Sequence, residues 1–189
     1  RILSRREHLR SEVSEFSGLL GPSTISDFDG TLINLDIDWT TLRNQLGIKS
    51  LAELWNESPD RWDPVTQAEI IAAGSSTFVA SVVAEFHKIE ELAILTNNSI
   101  HAVYAVLERL PWLKDRVRSV VGREVLLGPK QDLDIFTTGF ELAVSSLSLS
   151  SRESFPTYVG DSAYELEYAR NLGSRVFEVR AGVLRVTEP

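Results

Sequence analysis

Short apolar runs alternate with amphipathic segments along most of the chain, and this alternation predicts an α/β fold. The runs are rich in branched and aromatic residues, as buried strands are, and they cover 24–28, 92–95, 119–121, 157–159 and 175–179. Apolar side chains at helical spacing predict helices at 78–86, 99–110, 133–147 and 162–172. Strands that alternate with helices form a Rossmann-like parallel sheet with helices on both faces.

Residues 34–74 interrupt this alternation. Three tryptophans and several turn signals fall in this stretch, which predicts short helices at 39–46, 50–56 and 64–73. We therefore predict a small helical insertion after the first strand, within a core formed by 23–33 and 75–189. The side chains of Trp39, Trp55 and Trp62 either form the interior of this insertion or serve as a platform for a substrate.

The chain begins with a second departure from the α/β pattern. Leu9, Val13, Phe16 and Leu20 recur at helical intervals and predict an amphipathic helix over 3–20, within an N-terminal segment of residues 1–22. Gly21-Pro22 ends it. Its apolar face is expected to pack on the core or in a homodimer, so a monomer and a homodimer both remain open.

Composition narrows the class of protein. A chain of 189 residues and 21.1 kDa fits one domain with a small insertion. With a net charge of −8, the surface disfavours nucleic acid and anionic membranes as partners. There is no apolar stretch of about 20 residues, and the polar residues 1–15 do not resemble a signal peptide. The absence of cysteine excludes disulfides and thiolate chemistry and agrees with a cytoplasmic location.

Polar side chains follow three of the predicted strands. Asp27, Thr96 and Asp161 each stand where a strand ends, and ligands bind at the carboxyl ends of such strands. Asp27 lies in the run Asp-Phe-Asp-Gly-Thr-Leu, Lys130 follows Gly-Pro, and Glu165 comes one helical turn after Asp161. Together they supply a carboxylate nucleophile, an acid, a hydroxyl, a cation and metal-binding carboxylates, as Mg²⁺-dependent phosphoryl transfer requires.

In this order the motifs resemble those of the haloacid dehalogenase (HAD) superfamily, in its phosphatase branch, over residues 23–180. The resemblance implies that Asp27 is the nucleophile that forms an aspartyl-phosphate. It implies that Asp29 is the general acid and base and that its main-chain carbonyl binds Mg²⁺. Dehalogenases of the superfamily act on carbon and lack this second aspartate, so its presence favours a phosphatase.

The remaining roles follow from the same resemblance. Thr96 and the main-chain N–H groups of Phe28, Asp29 and Asn97 would bind the phosphoryl oxygens. Lys130 would offset the repulsion between phosphate and nucleophile. Magnesium would lie among Asp27, Asp29, Asp161 and Glu165, which form the expected metal site.

Two positions depart from the pattern of the superfamily. Gln131 replaces a proline after Lys130, and we expect this to alter the loop but not the chemistry. Glu165 stands where relatives more often have aspartate; it would either reach the water shell of the metal or hold Lys130.

The resemblance also implies that residues 34–74 form a small helical cap over the site. We therefore expect a phosphoglycolate-phosphatase-like hydrolase that acts on a small phosphorylated metabolite. A phosphomutase, and a binding or regulatory protein without turnover, are the alternatives.

Overall fold

The computed structural model describes residues 18–149 and 155–187. In these ranges the strands are β1 (Ser23–Ser26), β2 (Ile33–Asn34), β3 (Thr77–Phe78), β4 (Glu91–Leu95), β5 (Val117–Val121), β6 (Thr157–Gly160), β7 (Val176–Arg180) and β8 (Val183–Val186). Six of them form the central sheet in the order β5-β4-β1-β6-β7-β8. All neighbours are parallel except β7 and β8. The prediction of a mainly parallel sheet is confirmed.

The antiparallel edge strand β8 was not predicted. It follows β7 through a turn at Ala181 and Gly182, both with positive φ. A left-handed alanine is uncommon, so the sequence carries only half of the usual hairpin signal at this point. The strand is also mostly exposed, and its four residues show no alternation of buried and exposed side chains.

The helices are α1 (Trp39–Leu46), α2 (Asp63–Ser75), α3 (Ala80–Phe86), α4 (Ile100–Leu107), α5 (Pro111–Lys114), α6 (Leu133–Ser145) and α7 (Ala163–Asn171). Leu51–Asn56 and Pro59–Trp62 are 3₁₀ helices. Within these ranges, no helix is both long and apolar enough to cross a bilayer. Most of the predicted N-terminal helix lies outside the described residues, and its last residues, 18–20, form a bend and not a helix.

The core lies on both faces of the sheet, as the fold class requires. Along β4, Leu92 and Ile94 face one apolar cluster, and Ala93 and Leu95 face the other. This two-residue period explains why β4 is apolar at every position from Leu92 to Leu95. Helices cover both faces, so the central strands are screened from water.

The segment between β2 and β3 is helical and has a small core of its own. β2 pairs antiparallel with β3 through Ile33 and Phe78, which brings the two ends of the segment together. Inside it, Leu42, Ile48, Leu54 and Val65 are buried against one another. The helical content agrees with the expected cap, and the division at 34–74 stays a prediction.

The order of the strands places a crevice beside β1. The chain passes from β1 to β4 and β5 on one side and then returns to β6 and β7 on the other. In open α/β sheets, such a reversal leaves a crevice at the carboxyl ends of the strands. β1 and its two neighbours therefore end at the place where a ligand is expected.

Candidate active site

Three adjacent strands deliver the first polar groups of the site. Asp27 follows β1, Thr96 follows β4 and Asp161 follows β6, so the three lie at one edge of the sheet. The main-chain N–H of Asp27 donates to the carbonyl of Val159 at 2.8 Å. The N–H of Thr96 donates to the carbonyl of Val121 at 2.9 Å. These bonds extend the sheet by one residue and fix where both side chains begin.

A tight loop after β1 brings Asp161 against Gly30. The carbonyl of Phe28 accepts hydrogen bonds from Leu32 and Ile33, and Gly30 has a φ of 79°. A β-carbon at residue 30 would lie only 2.3 Å from Oδ2 of Asp161. Glycine is therefore needed twice, for its backbone angle and for the room that it leaves to the carboxylate.

Lys130 lies at the centre of the site and is almost fully buried. Its Nζ is 2.7 Å from Oδ1 of Asp27 and 2.7 Å from Oε1 of Glu165, and it also donates to the carbonyl of Leu95 at 3.1 Å. Burial alone would lower the pKa of Lys130, but Asp27 and Glu165 raise it above its ordinary value. The lysine is therefore a permanent cation that joins two carboxylates.

Hydrogen bonds from two tyrosines hold the carboxylate of Glu165 in contact with Lys130. Its Oε2 accepts the hydroxyl of Tyr158 at 2.7 Å, and its Oε1 accepts that of Tyr164 at 3.0 Å in addition to Lys130. Burial, followed by the charge of Glu165, raises the pKa of both tyrosines, so they remain donors. Of the two expected roles of Glu165, these contacts favour the one in which it holds the lysine. A place for Glu165 in the metal site stays a prediction.

Thr96 and Asn97 organise the loop after β4. The Thr96 hydroxyl donates to Oδ1 of Asn98 at 2.8 Å, and Oδ1 of Asn97 accepts the main-chain N–H of Lys130 at 2.9 Å. The main-chain N–H groups of Phe28, Asp29 and Asn97 make no hydrogen bond with any described residue. These donors stand next to Asp27 and Thr96 in the chain, where the phosphoryl oxygens were expected.

Crowding of carboxylates changes their acidity. Burial, then Glu165, raises the pKa of Asp27 to about 8, although Lys130 opposes the rise. Burial and, to a lesser extent, Asp161 raise the pKa of Asp29 to about 6, against a hydrogen bond that its carboxylate accepts from Leu35. The pKa of Asp161 is raised as well, by burial and by Glu165. The site thus holds more negative charge than its one lysine balances.

A second buried ion pair, between Arg123 and Glu69, adjoins these groups. The guanidinium donates to both carboxylate oxygens of Glu69 at 3.0 Å. It also donates to the carbonyl of Asn97 and the hydroxyl of Thr66. The carboxylate of Glu69 in turn accepts from Asn98 and Ser99 in the loop after β4. This pair therefore connects helix α2 with the loop that carries Thr96.

Sequence reasoning missed this pair, although a signal for Glu69 existed. Val65, Glu69, Ala72 and Ala73 are the buried residues of α2 and lie on one helical stripe. A carboxylate within an apolar stripe is rarely buried without a partner. No spacing rule links it to Arg123, which is 54 residues away in the sequence.

The polar groups open into a cavity of about 300 Å³ between the helical insertion and the strand ends. The insertion contributes Trp39, Trp55, Trp62 and Glu69 to its wall. The opposite side is formed by the residues described above, among them Asp27, Asp29, Thr96, Lys130 and Asp161. Such a volume is at the lower end of the range for small-molecule sites.

The donor set fits Mg²⁺, which takes oxygen ligands and keeps several waters. Among the described residues, no three His, Cys, Asp or Glu side chains form a group that could hold a metal by themselves. Two carboxylates, Asp27 and Asp161, with the carbonyl of Asp29 suit a cation that retains much of its water. Burial and, to a lesser extent, neighbouring carboxylates raise the pKa values of Asp27, Asp29 and Asp161, and a divalent cation would favour their ionised forms.

Solved structures with the same architecture were found by comparison. A haloacid dehalogenase-like hydrolase from Bacteroides fragilis superposes with a TM-score of 0.58 at 17% identity, over 82% of this chain and 85% of that one. A Lactobacillus plantarum protein described as a phosphoglycolate phosphatase superposes with a TM-score of 0.53 at 16% identity, over 82% of this chain and 84% of that one. L-2-haloacid dehalogenase from Xanthobacter autotrophicus superposes with a TM-score of 0.53 at 17% identity, over 82% of this chain and 76% of that one.

The chain has the fold of the HAD superfamily. The resemblance that the motifs indicated is thereby confirmed at the level of the fold. Neither protein-family models nor curated protein sequences give a match. Because HAD folds carry both phosphatases and dehalogenases, the chemistry must be argued from the side chains of this site.

Proposed function

We propose that this HAD-fold hydrolase is a Mg²⁺-dependent phosphatase that hydrolyses a small phosphomonoester through an aspartyl-phosphate on Asp27. The observation that carries the proposal is the arrangement around Asp27. A buried lysine holds its carboxylate at 2.7 Å, and Asp29 follows two residues later in the same loop. The site therefore pairs a nucleophile with an acid whose pKa of about 6 is close to neutrality.

In the first step, a carboxylate oxygen of Asp27 attacks phosphorus and the bond from phosphorus to the leaving oxygen breaks. Asp29 gives its proton to that oxygen, so the alcohol leaves uncharged. Lys130 and the N–H groups of Phe28, Asp29 and Asn97 stabilise the charge on the phosphoryl oxygens. The products of this step are the free alcohol and phospho-Asp27.

In the second step, Asp29 takes a proton from a water molecule. The resulting oxygen attacks phosphorus, the bond to Asp27 breaks and inorganic phosphate leaves. Thr96 contributes its hydroxyl as a donor to the phosphoryl group in both steps, after rotating away from Asn98. Asp29 thus returns to its protonated state and the cycle closes.

Magnesium, held by Asp27, Asp161 and the carbonyl of Asp29, would supply charge neutralisation between the nucleophile and the phosphate. Glu165 acts through Lys130, whose ammonium it contacts at the same distance as Asp27 does. In the superfamily, dehalogenases lack the second aspartate. Asp29 therefore supports phosphate chemistry over attack on carbon.

The proposal includes a small phosphorylated metabolite as substrate and a cytoplasmic location. It includes no nucleic-acid or membrane partner. A phosphomutase would use the same residues but would return the phosphoryl group to a sugar. A binding protein without turnover would not need the pairing of Asp27 with Lys130.

Beryllofluoride, which mimics a phosphoryl group on a carboxylate, tests the proposal without depending on the leaving group. Mg²⁺ with beryllofluoride should raise the melting temperature of the wild type, because a ligand that binds only the folded state stabilises it. The Asp27→Asn variant should show no such rise. An equal rise in both proteins would contradict Asp27 as the acceptor, and no rise in the wild type would contradict a phosphoryl site.

A further inference from the structure

We propose that the substrate is a phosphomonoester whose alcohol is uncharged and carries an aromatic or other flat apolar group, bound against Trp39, Trp55 and Trp62. The inference rests on the proposed phosphatase function and specifies the substrate class of that site. Three independent observations carry it: the aromatic wall, the pairing of the cations and the size of the cavity.

The wall of the cavity that faces the catalytic groups is aromatic. Trp39 begins helix α1, Trp55 lies in a 3₁₀ helix and Trp62 precedes α2, and all three line the cavity. The rings of Trp55 and Trp62 meet edge to face, with centroids 5.2 Å apart. The guanidinium of Arg123 lies 4.3 Å from the ring centre of Trp62. These contacts fix the rings of Trp55 and Trp62 before a substrate arrives.

The tryptophans also have a structural role, but this role does not bury their side chains completely. Trp39 and Trp62 pack on the small core of the insertion, and Trp55 packs on the sheet. All three nevertheless remain only half-buried. All three contribute surface to the wall of the cavity, so an apolar ligand there would gain by covering it.

The charges of the cavity disfavour a second anionic group on the substrate. Five carboxylates line it, and they are Asp27, Asp29, Glu69, Asp161 and Glu165. Two cations line it among the described residues, Lys130 and Arg123. Lys130 is paired with Asp27 and Glu165, and Arg123 makes a bidentate pair with Glu69. A carboxylate or second phosphate on the alcohol would find no unpaired cation and would meet like charge.

The size of the cavity limits the alcohol. About 300 Å³ holds a phosphoryl group and one or two rings, but not a long or branched chain. The combination of a small volume, an aromatic wall and paired cations excludes sugar bisphosphates and phosphorylated acids as preferred substrates. It favours a compact, neutral, flat alcohol.

Three phosphates of aliphatic alcohols separate these possibilities, with reactivity of the leaving group kept similar. 2-Phenylethyl phosphate is neutral and aromatic beyond the phosphate, glycerol 3-phosphate is neutral and polar, and phosphoglycolate is anionic. We expect kcat/KM for 2-phenylethyl phosphate to exceed both others by at least about tenfold, since one apolar group is worth roughly 10- to 200-fold. A preference for phosphoglycolate or for glycerol 3-phosphate overturns the inference and leaves the phosphatase intact.

Substitutions in the aromatic wall of the cavity test whether the tryptophans cause the substrate preference. Trp39→Leu and Trp55→Leu should raise KM for 2-phenylethyl phosphate about tenfold and leave glycerol 3-phosphate within about twofold. Trp112→Leu is the matched control, because Trp112 stacks on His87 and does not line the cavity. An unchanged preference in folded variants of Trp39 and Trp55 overturns the wall as the binding surface. If a variant does not fold, the preference of the wild type still decides on the substrate class.

The same panel distinguishes failure of the inference from failure of the proposed function. Mg²⁺-dependent hydrolysis with the wrong preference rejects only the inference. No hydrolysis of any of the three phosphates, together with no stabilisation by beryllofluoride, rejects both.

Discussion

The ammonium of Lys130 lies 2.7 Å from Oδ1 of Asp27, and both side chains are buried. The same ammonium lies 2.7 Å from Glu165, so one cation serves two carboxylates that would otherwise repel each other. The site depends on this relationship because a buried carboxylate without a partner takes up a proton. Lys130 opposes proton uptake by Asp27, whose pKa is nonetheless raised to about 8, and the proposed Mg²⁺ would complete the ionisation that a nucleophile needs.

Replacing Lys130 should therefore damage both folding and turnover. We expect Lys130→Met to lower the free energy of unfolding by about 3–5 kcal/mol, since it leaves buried carboxylates unpaired. Turnover should fall below detection. Urea denaturation and phosphate release measure the two effects.

The double variant Lys130→Met/Glu165→Gln separates them. It should recover part of the lost stability, because one unpaired charge is gone. It should recover no activity. Lys88→Met is the surface control, since the side chain of Lys88 is 48% exposed. If Lys130→Met were as stable as this control, the account of the buried pair would be wrong.

Asp161 and Glu165 should respond differently to loss of charge. Asp161→Asn is expected to weaken Mg²⁺ binding at least about tenfold, because it removes a proposed ligand. Glu165→Gln should leave Mg²⁺ affinity within about threefold and lower kcat, because Glu165 touches Lys130 and two tyrosines instead. Calorimetric titration with Mg²⁺ compares them, and an equal loss of affinity in both variants would return Glu165 to the metal site.

Most of the fold and the chemical groups of the site could be predicted from local sequence. The strand before Thr96 is apolar from Leu92 to Leu95, and its signal is strong because both faces of the sheet are covered. The strands before Asp27 and Asp161 are short and buried but carry fewer apolar residues. The roles within the site that depend on residues distant in the sequence could not be predicted in this way. Whether Glu165 faces the metal or Lys130 is decided by Tyr158 and Tyr164, whose hydroxyl positions no spacing rule gives.

The same limit explains the other differences. The pairing of Glu69 with Arg123 joins a helix of the insertion to the loop after β5, and only the folded chain brings them together. The exposed edge strand β8 lacks both an apolar run and a strong turn signal. Long-range ion pairs and edge strands are thus the features that local pattern leaves undetermined.

The Arg123–Glu69 pair should matter for kcat although it lies beside the reacting groups and not among them. Arg123→Met is expected to lower the free energy of unfolding by about 3–5 kcal/mol by leaving Glu69 buried and unpaired. It should also lower kcat, because Glu69 holds the loop that carries Thr96, with little change in Mg²⁺ affinity. Arg118→Met is the matched control: Arg118 pairs with Glu91 at 3.4 Å but is 46% exposed. Equal stabilities of the two variants would contradict the role of the buried pair.

Mg²⁺ affinity should depend on pH. In the metal-free protein the pKa of Asp27 is raised to about 8 and that of Asp161 is raised as well, so protons must leave these proposed ligands when the metal binds. Apparent affinity should rise from pH 5.5 to 8, by up to about tenfold per pH unit for each proton released. Calorimetry in buffers of different ionisation enthalpy counts these protons. Constant affinity without proton release would contradict the crowding of charge.

The stability of the metal-free protein should follow the opposite trend. Groups whose folded-state pKa is raised favour folding at low pH, and that contribution is lost as the pH rises through the folded-state value. The melting temperature in EDTA should therefore fall from about pH 4 to about pH 8, and Mg²⁺ should restore it. Melting curves at matched ionic strength show whether the difference in melting temperature between the protein with Mg²⁺ and the protein in EDTA widens as the pH rises.

Phosphate release from p-nitrophenyl phosphate, with Mg²⁺ and with EDTA, tests the central claim most directly when the wild type is compared with Asp27→Asn. The account predicts release by the wild type with Mg²⁺, none in EDTA, recovery when Mg²⁺ is restored, and none from a folded Asp27→Asn variant. Release by Asp27→Asn at the wild-type rate, or release that EDTA does not reduce, would contradict it.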